Sequence, residues 1–369
     1  MKFSCAKTEL SEAIAVCSHA ASSKSTDPIL EGLLFNVDER VRITGYNLKL
    51  GISKTIDASV YKTGAFVLNA RVLGDIVRKM AGDTITFTIN EMPNAEISCG
   101  AAKFTIMAQP ADEYPVIPEV EKDCGISLKN PLLKQMIDQT VFAVSTNENK
   151  PTHTGVLFEV ENGELTMCAV DGYRLAVRSE KVATLNAEEF RFIVPGESLR
   201  EISRILPDDE NDCVIYTTRK FALYEFSDVT VITRLLEGEF INYKAAIPKD
   251  QPISLRMDRQ ELISAIERVS IIITERLKTP VRCKFEDTSL TLNCVTPMGT
   301  SLDEIVIPKC AIPVEIGFNN SYILDALKAA TGEFILFEMR SALSPCTIRP
   351  VEGDAYVYLV LPVRLRAGD

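Results

Sequence analysis

The sequence predicts an α+β fold of three similar domains in tandem. Strand-like runs rich in β-branched residues alternate with short amphipathic helices along the whole chain. The length of 369 residues accommodates two or three domains of ordinary size. Related segments also recur at a nearly constant interval, which is typical of a tandem repeat. Together these observations favour three copies of one α+β unit.

Each copy contains a pair of strands. The first strands are predicted at residues 32–35, 155–158 and 282–285, and their partners at 41–48, 165–175 and 290–295. Phe35, Phe158 and Phe285 occupy equivalent positions, and their spacings of 123 and 127 residues define the period. Within the second of these partner segments, Asp171-Gly172 is a dipeptide that favours a hairpin turn of type I′.

Two helices accompany each strand pair. The first carries an apolar stripe spaced i, i+3, i+4, i+7, which indicates one buried face, and the second begins near Asn69, Pro195 or Asn319. Proline-containing extended segments close the first two copies and predict domains at residues 1–120, 121–248 and 249–369. The six helices are predicted at 7–20, 70–80, 130–144, 196–205, 258–272 and 320–331.

The composition narrows the class of protein. With 40 Lys and Arg against 51 Asp and Glu the net charge is −11, so a nucleic-acid partner requires a locally basic surface.

The ten cysteines show no C-x-x-C spacing, which predicts reduced, buried thiols and no metal site, and we expect no cofactor. The N-terminus is polar and the longest apolar run, 355–361, is too short to span a membrane. We therefore expect a cytoplasmic protein without a membrane partner.

The helices are the candidate surface for nucleic acid. Over the six predicted helices basic and acidic residues number ten each, so the rest of the chain carries the whole negative charge. Two chains closed into a ring with every helix inward leave a hole of about 25 Å, which passes a duplex. Taken singly, each basic residue is more typical of a solvated helix face. Those expected to meet phosphates loosely are Arg71, Arg78, Lys79, Lys134, Arg200, Arg204, Arg259, Arg268 and Lys328.

Five segments carry a family resemblance: 155–159 (GVLFE), 169–177 (AVDGYRLAV), 236–243 (LEGEFINY), 316–324 (IGFNNSYIL) and 361–365 (LPVRL). In their order and spacing the chain resembles the bacterial DNA polymerase III beta subunits, the replicative sliding clamps. The resemblance implies a head-to-tail homodimeric ring of six domains, with helices inside and antiparallel sheets outside, that encloses duplex DNA of any sequence. It also implies a non-catalytic processivity factor that tethers the replicative polymerase, the clamp loader, other polymerases and repair factors.

The resemblance further implies a pocket between the second and third domains for short partner peptides that contain a glutamine and bulky apolar residues. Tyr173, Ile241, Ala245 and Ala246 depart from the residues common in the family, so we expect a less basic rim and an altered peptide preference. The tail 366–369 extends past the usual end, beside the pocket. The positions that match the pocket are His153, Val170, Gly172, Tyr173, Arg174, Leu175, Ile241, Leu277, Asn319, Tyr322, Leu343, Pro345, Leu359, Leu361, Pro362, Val363 and Arg364.

The resemblance also assigns a subunit interface and DNA-contacting loops. Phe104 and Ile106 match one side of the interface, and Ile271 and Ile272 match the other, although core packing explains such apolar residues equally well. Lys24 and the loop 147–150, which includes Asn149 and Lys150, match positions that touch DNA at one face of the ring. Solvent-exposed loops have the same polar character.

Two other functions stay open. A peptide-binding scaffold would use the same pocket without enclosing DNA. A metal-dependent phosphodiesterase would use carboxylates such as Asp171 or Asp303, but the sequence has no phosphate-binding glycine loop and only two histidines. The enzyme is the less favoured of the two, because the acidic residues do not cluster at repeated strand ends.

Overall fold

The structure is a computed structural model that describes residues 1–90, 92–274 and 279–365. The predicted pocket residue Leu277 and the tail 366–369 lie outside the described residues. The described residues fall into two compact units: the first consists of Met1–Leu133, Ala183–Ala187 and Glu197–Leu235, and the second of Lys134–Val182, Glu188–Gly196 and the chain from Leu236 onward. The middle third of the chain therefore supplies elements to both units.

The elements repeat in a similar order along the chain. The first third contains β1 (Lys2–Ala6), α1 (Lys7–Ser18), β2 (Gly32–Val37), β3 (Val41–Tyr46), β4 (Leu50–Ile56), β5 (Ser59–Lys62), β6 (Gly64–Asn69), α2 (Ala70–Lys79), β7 (Thr84–Thr88), β8 (Asn94–Cys99), β9 (Ala102–Met107) and β10 (Gln109–Pro110). The middle third contains β11 (Gly125–Lys129), α3 (Asn130–Asp138), β12 (Gly155–Glu161), β13 (Glu164–Val170), β14 (Arg174–Lys181), β15 (Ala183–Leu185), β16 (Phe190–Pro195), α4 (Gly196–Ile205), β17 (Asp212–Thr217), β18 (Phe221–Phe226) and β19 (Val229–Arg234). The last third contains β20 (Ile253–Asp258), α5 (Arg259–Ser270), β21 (Val281–Thr296), β22 (Gly299–Phe318), α6 (Asn320–Ala329), β23 (Phe334–Met339), β24 (Cys346–Pro350) and β25 (Tyr356–Val360).

The helices lie where the apolar stripes predict them, and side-chain caps fix several of their starts. Asn69 Oδ1 accepts a hydrogen bond from Val72 N at 3.1 Å, and Asp258 Oδ1 accepts one from Glu261 N at 2.8 Å. The helix predicted at 130–144 is wrong in length, since α3 ends at Asp138. The reason is Thr140, whose hydroxyl donates to Met136 O at 2.8 Å and to Ile137 O at 3.2 Å and so takes the carbonyls of the last turn.

The first unit contains a five-stranded sheet, in the order β5-β1-β7-β8-β9, and a ten-stranded sheet, in the order β10-β6-β2-β3-β4-β19-β18-β17-β11-β15. Every strand pair is antiparallel. Phe3, Phe35, Phe66 and Phe87 are fully buried, and their rings lie 4.8 to 6.5 Å apart. These aromatic side chains form the centre of the core of this unit.

The second unit contains an eight-stranded antiparallel sheet, in the order β16-β12-β13-β14-β25-β24-β23-β20, and a long hairpin of β21 and β22. At the β14–β25 pairing Arg174 lies opposite Val360 and Arg178 opposite Tyr356. Arg178 is buried, and its guanidinium donates to Gln139 Oε1 and to Glu180 Oε2, both at 2.7 Å. Its Nη1 also donates to Ala355 O at 3.2 Å, so β14 is tied to the segment before β25 by a polar contact as well as by the sheet.

The thiols are as the sequence predicts. All ten cysteines are free, and all except Cys124 are buried. Burial raises the pKa of the Cys5 and Cys17 thiols to about 12, so both are protonated at neutral pH. None of the helices in the described part of the chain is long and apolar enough to cross a membrane.

Candidate functional site

The second unit contains a cleft of about 710 Å³ between the β13–β14 turn, the start of α6 and the chain that follows β25. Six predicted pocket residues meet there: Tyr173, Asn319, Tyr322, Leu361, Pro362 and Val363. The remaining described lining residues are Ile273, Thr274, Asn320 and Ser321, so the described lining has no charged side chain. We call this feature the apolar cleft.

The turn between β13 and β14 brings Tyr173 to the rim of the apolar cleft. Asp171 Oδ1 accepts hydrogen bonds from Tyr173 N at 2.8 Å and from Arg174 N at 3.0 Å. Gly172 has a φ of +96°, whereas Tyr173 has no positive φ. The predicted type I′ turn is therefore wrong, because only its first central residue takes a positive φ, as in a type II′ turn. The result is a Tyr173 side chain that is 61% exposed.

Arg174 lies under the cleft as a neutralised cation. Its Nε donates to Asp171 Oδ2 at 3.0 Å and its terminal nitrogen to Asp325 Oδ2 at 2.5 Å. Its guanidinium also lies 4.6 Å from the centre of the Tyr322 ring, and the Tyr173 and Tyr322 rings stack at 6.0 Å. Burial and the nearby Asp171 carboxylate raise the pKa of Tyr322. Arg174 therefore orients the aromatic wall.

The other wall is the backbone on either side of Pro362. Leu361 N donates to Tyr173 O and Val363 N donates to Gly317 O, both at 2.8 Å. A Cβ at Gly317 would lie 2.6 Å from the Leu365 side chain and 2.8 Å from Val363 O, so only glycine permits this approach. At the start of α6, Asn319 Oδ1 accepts from Ser321 N at 3.0 Å and Tyr322 N at 3.3 Å. The backbone around Pro362 and the start of α6 are thereby held in place.

A buried apolar cluster adjoins the cleft and shares Leu361 with it. Three predicted residues, Val170, Leu175 and Leu359, are buried in this cluster. Leu236, Phe240, Ile247 and Leu361 pack on it partly buried. The cluster consists of Leu157, Cys168, Val170, Leu175, Val177, Ile193, Tyr243 and Leu359.

A polar contact fixes the far side of the cluster. Tyr243 Oη donates to Glu159 Oε2 at 2.8 Å, and Lys244 Nζ lies 2.9 Å from the same oxygen. Burial acts to raise the pKa of Glu159, but the hydrogen bonds from Lys244 and Tyr243 outweigh it and lower that pKa. Burial, together with the Glu159 contact, raises the pKa of Tyr243. The Tyr243 ring is thus anchored by a carboxylate that stays ionised at neutral pH.

The other predicted pocket residues lie outside the described lining of the cleft. His153 has its ring 6.4 Å from that of Phe240, and burial followed by nearby Lys150 lowers its pKa. Ile241 and Leu343 are exposed, and Pro345 lies in the loop between β23 and β24. Gly172 is at the turn, Arg174 beneath it, and Arg364 is exposed beside Val363.

Sequence reasoning missed several members of the site. Ile273 and Thr274 carry no recognisable motif, because they follow a helix as plain coil. Asn320 and Ser321 had a signal, since an Asn cap places its first helical residues beside it. Tyr243 also had one, because it ends the second copy as Tyr114, likewise buried, ends the first.

The predicted DNA-facing residues divide into three groups. Arg78 pairs with Asp75, Arg204 with Glu201 at 2.6 Å, Arg268 with Asp303 at 2.7 Å and Lys328 with Glu267 at 2.6 Å. Arg259 donates to Gly332 O at 2.8 Å, and Lys134 and Arg200 are half-buried. Lys24, Arg71, Lys79, Asn149 and Lys150 are exposed, and the cations among them have no ion pair with any described residue.

The predicted interface residues lie at an edge and after a helix. Phe104 and Ile106 are in β9, which is the edge strand of the five-stranded sheet. Ile271 follows α5 and is 80% exposed, while Ile272 is half-buried. The exposed positions favour a surface role over core packing for Phe104 and Ile271.

The carboxylates considered for an enzyme are both engaged with arginine. Asp171 binds Arg174 and two backbone amides, and Asp303 pairs with Arg268. Across residues 1–90, 92–274 and 279–365, no group of three or more His, Cys, Asp or Glu side chains is arranged to hold a metal ion.

The repeated helices and antiparallel sheets define a three-domain clamp fold, and its second unit contains the uncharged cleft. Models of the DNA polymerase III beta subunit match the chain at residues 1–118 for the N-terminal domain, 127–242 for the central domain and 244–364 for the C-terminal domain. The chain belongs to this family, the sliding clamps, whose members are non-catalytic processivity subunits of DNA polymerase III.

Individual relatives match over nearly the full length. The beta sliding clamp of Bacillus subtilis is 32% identical over 99% of this chain and 100% of its own. The solved Bacillus subtilis clamp has a TM-score of 0.95 with the same coverage. A Pseudomonas aeruginosa clamp solved bound to griselimycin is 25% identical, with a TM-score of 0.94, over 99% of this chain and 100% of its own.

Proposed function

We propose that this chain is the processivity factor of a replicative DNA polymerase. In this proposal two chains, each with domains at 1–120, 121–248 and 249–369, close into a head-to-tail ring around duplex DNA in the cytoplasm. The supporting observation is the likeness to sliding clamps over 99% of the chain. Such a ring keeps its polymerase on DNA by topological linkage, so it needs no tight grip on the phosphates.

Exposed edge strands support the dimer. β9 ends the five-stranded sheet, and β22 has one edge unpaired by any described strand. Both carry exposed apolar side chains, with Met107 of β9 76% exposed and Val306 of β22 82% exposed. An unpaired strand edge of this kind is a template for pairing with a second chain. Pro308 and Pro313 lack amide donors, so the part of β22 available for pairing is 299–307, which is long enough for the six residues of β9.

Light scattering tests the dimer. We expect a species of twice the chain mass of 40.8 kDa, converted to monomer by Val306→Glu because a charge at the paired edge is desolvated. Tyr61→Glu is the matched control, since Tyr61 is an exposed side chain on β5 at the opposite edge of the five-stranded sheet. A wild-type monomer at all concentrations, or equal effects of both variants, would contradict the proposed interface.

The apolar cleft supports a further part of the proposal, which is that the protein tethers its partners through short peptides. A concave lining of aromatic, aliphatic and amide groups suits a short peptide with bulky apolar residues and a glutamine. We propose that the replicative polymerase, the clamp loader and other polymerases and repair factors present such peptides here. Tyr173 in the aromatic wall, with Arg174 neutralised, favours an uncharged peptide.

Titration with a labelled Gln-containing apolar peptide tests the cleft. Tyr322→Ala removes half of the aromatic wall, and we expect affinity to fall about tenfold or more, as for a central aromatic contact. Tyr61→Ala, at an exposed tyrosine remote in sequence from the cleft, should leave affinity unchanged. Loader-dependent retention of the wild-type protein on closed circular DNA then separates the clamp from the scaffold, which binds peptide but is not retained.

A further inference from the structure

Four unpaired cations meet at one end of the ten-stranded sheet. Lys49 lies in the β3–β4 turn, Arg219 and Lys220 in the β17–β18 turn, and Arg234 at the end of β19. Arg234 N donates to Lys49 O and Leu235 N donates to Lys220 O, both at 2.8 Å, so three adjacent strand ends are joined. All four side chains are exposed, and none forms an ion pair with a described residue. In a chain of net charge −11, such a cluster is a distinct positive surface.

An apolar side chain is displayed within this cluster under backbone strain. Leu48 is 51% exposed and has a φ of +71°, a conformation that branched side chains disfavour. The turn is held by Asn47 Oδ1, which accepts from Lys49 N at 3.1 Å and Leu50 N at 2.8 Å. Leu48 is thus exposed to solvent at a position where a glycine would be free of the backbone strain.

The same backbone framework occurs at the apolar cleft. There Asp171 Oδ1 accepts from Tyr173 N and Arg174 N, Gly172 takes the positive φ, and Leu361 N donates to Tyr173 O. In this correspondence Leu48 matches Gly172, Lys49 matches Tyr173 and Arg234 matches Leu361. The framework shared by the first and second copies of the repeat therefore presents cations and one leucine where the framework shared by the second and third copies presents an aromatic and apolar wall.

We propose that Lys49, Arg219, Lys220 and Arg234, together with the exposed Leu48 next to Lys49, dock an acidic segment of a partner protein that places an apolar residue on Leu48. This surface shares no residue with the apolar cleft and goes beyond the proposed function. Charge complementarity identifies the acidic segment, because four cations without internal partners gain ion pairs on binding. A protein is favoured over DNA, since a phosphate backbone offers no apolar group to Leu48 and the cations lie on strand ends rather than on α1, α2 or α4.

A labelled peptide with a Leu-Phe pair flanked by runs of Asp and Glu tests the proposal by fluorescence anisotropy. We expect salt-dependent binding to the full chain, and about a tenfold or greater loss with Lys49→Glu/Arg234→Glu. Lys249→Glu/Lys309→Glu is the matched control, because it makes the same change of net charge at exposed lysines of the second unit. Leu48→Asn, which tolerates the positive φ but removes the apolar contact, should weaken binding about threefold to fivefold.

Three results would overturn this proposal. The first is an equal loss of affinity for the acidic peptide in the Lys49→Glu/Arg234→Glu variant and in the Lys249→Glu/Lys309→Glu control. The second is wild-type affinity for a peptide with Asn and Gln in place of Asp and Glu that equals the affinity for the acidic peptide. The third is loss of duplex binding without loss of peptide binding, which would make the surface a DNA contact. Binding of the Gln-containing peptide, measured on the same variants, should be unchanged, so failure here is distinguishable from failure of the cleft. Circular dichroism confirms that each variant is folded.

Discussion

At the scale of single residues, Glu159 shows how one carboxylate supports a site that it does not line. Its Oε2 atom holds both Tyr243 Oη at 2.8 Å and Lys244 Nζ at 2.9 Å, and Tyr243 in turn belongs to the buried apolar cluster. The pKa of Glu159 is lowered in the folded protein, because these two bonds outweigh its burial. A carboxylate with a depressed pKa stabilises the fold only while it is ionised.

Glu159→Gln should therefore lower stability in a pH-dependent way. At pH 7 we expect a loss of about 1 kcal/mol in the free energy of unfolding, measured by urea denaturation. The Glu159 contribution is fully present above its unfolded pKa of about 4.3 and is lost as the pH falls through its lower folded pKa. The difference between wild type and variant should thus shrink toward pH 3.

Glu161→Gln is the control for this experiment. Glu161 lies 3.4 Å from Lys244, but both side chains are more than half exposed, so its removal should cost less than about 0.5 kcal/mol. Parallel stability curves for wild type and Glu159→Gln across the acid range would show that the carboxylate charge makes no contribution.

At the scale of elements, the β13–β14 turn decides whether the aromatic wall forms. Gly172 supplies the positive φ, and Asp171 closes the turn with two backbone hydrogen bonds and one hydrogen bond from Arg174. The turn then holds Tyr173 against Tyr322. Asp171 therefore acts on binding through the conformation of the turn.

Asp171→Ala should lower affinity for the Gln-containing peptide about tenfold, because the three hydrogen bonds that the Asp171 side chain makes in the turn are removed. Asp171→Asn keeps an oxygen that accepts from both backbone amides, and Arg174 keeps Asp325 as its partner. We therefore expect only about a threefold loss for the asparagine variant in the same titration. Equal losses in the two variants would mean that charge, not turn geometry, positions Tyr173.

At the scale of the whole molecule, internal ion pairs limit how strongly the helices attract DNA. Arg78 and Arg204 are each paired with an acid three residues earlier on the same helix, whereas Arg71 and Lys79 pair with no described residue. A cation that has no internal ion pair to give up gains more binding free energy when it contacts a phosphate. Arg71 and Lys79 should therefore carry more of the DNA contact than Arg78 and Arg204.

Salt titrations of duplex binding test this division. Arg71→Gln/Lys79→Gln should reduce the slope of log affinity against log salt by roughly 0.9 for each phosphate that the variant no longer neutralises. Arg78→Gln/Arg204→Gln removes the same charge and should reduce the slope less, because Asp75 and Glu201 already neutralise those guanidinium groups. A larger effect of the second pair would reverse the assignment.

The repeat and the positions of its helices follow from the amino-acid sequence alone. Periodic apolar residues and equivalent phenylalanines suffice for this, because burial of one face is a local requirement that leaves its period in the sequence. The end of α3 was predicted wrongly, since the Thr140 hydroxyl takes carbonyls that would otherwise continue the helix. The turn type at Gly172 was also wrong, because a dipeptide signal does not fix which central residue takes the positive φ.

The set of side chains that meet in the cleft, and the set of cations that are already ion-paired, depend on the three-dimensional fold. Ile273 and Tyr173 line the same cleft although 100 residues separate them, and no sequence period records such a meeting. Arg204 and Arg71 are both arginines on helices, yet Arg204 pairs with Glu201 whereas Arg71 has no acidic partner among the described residues. Packing and ion pairing between elements depend on distances in space, and a single sequence encodes those distances only through the complete fold.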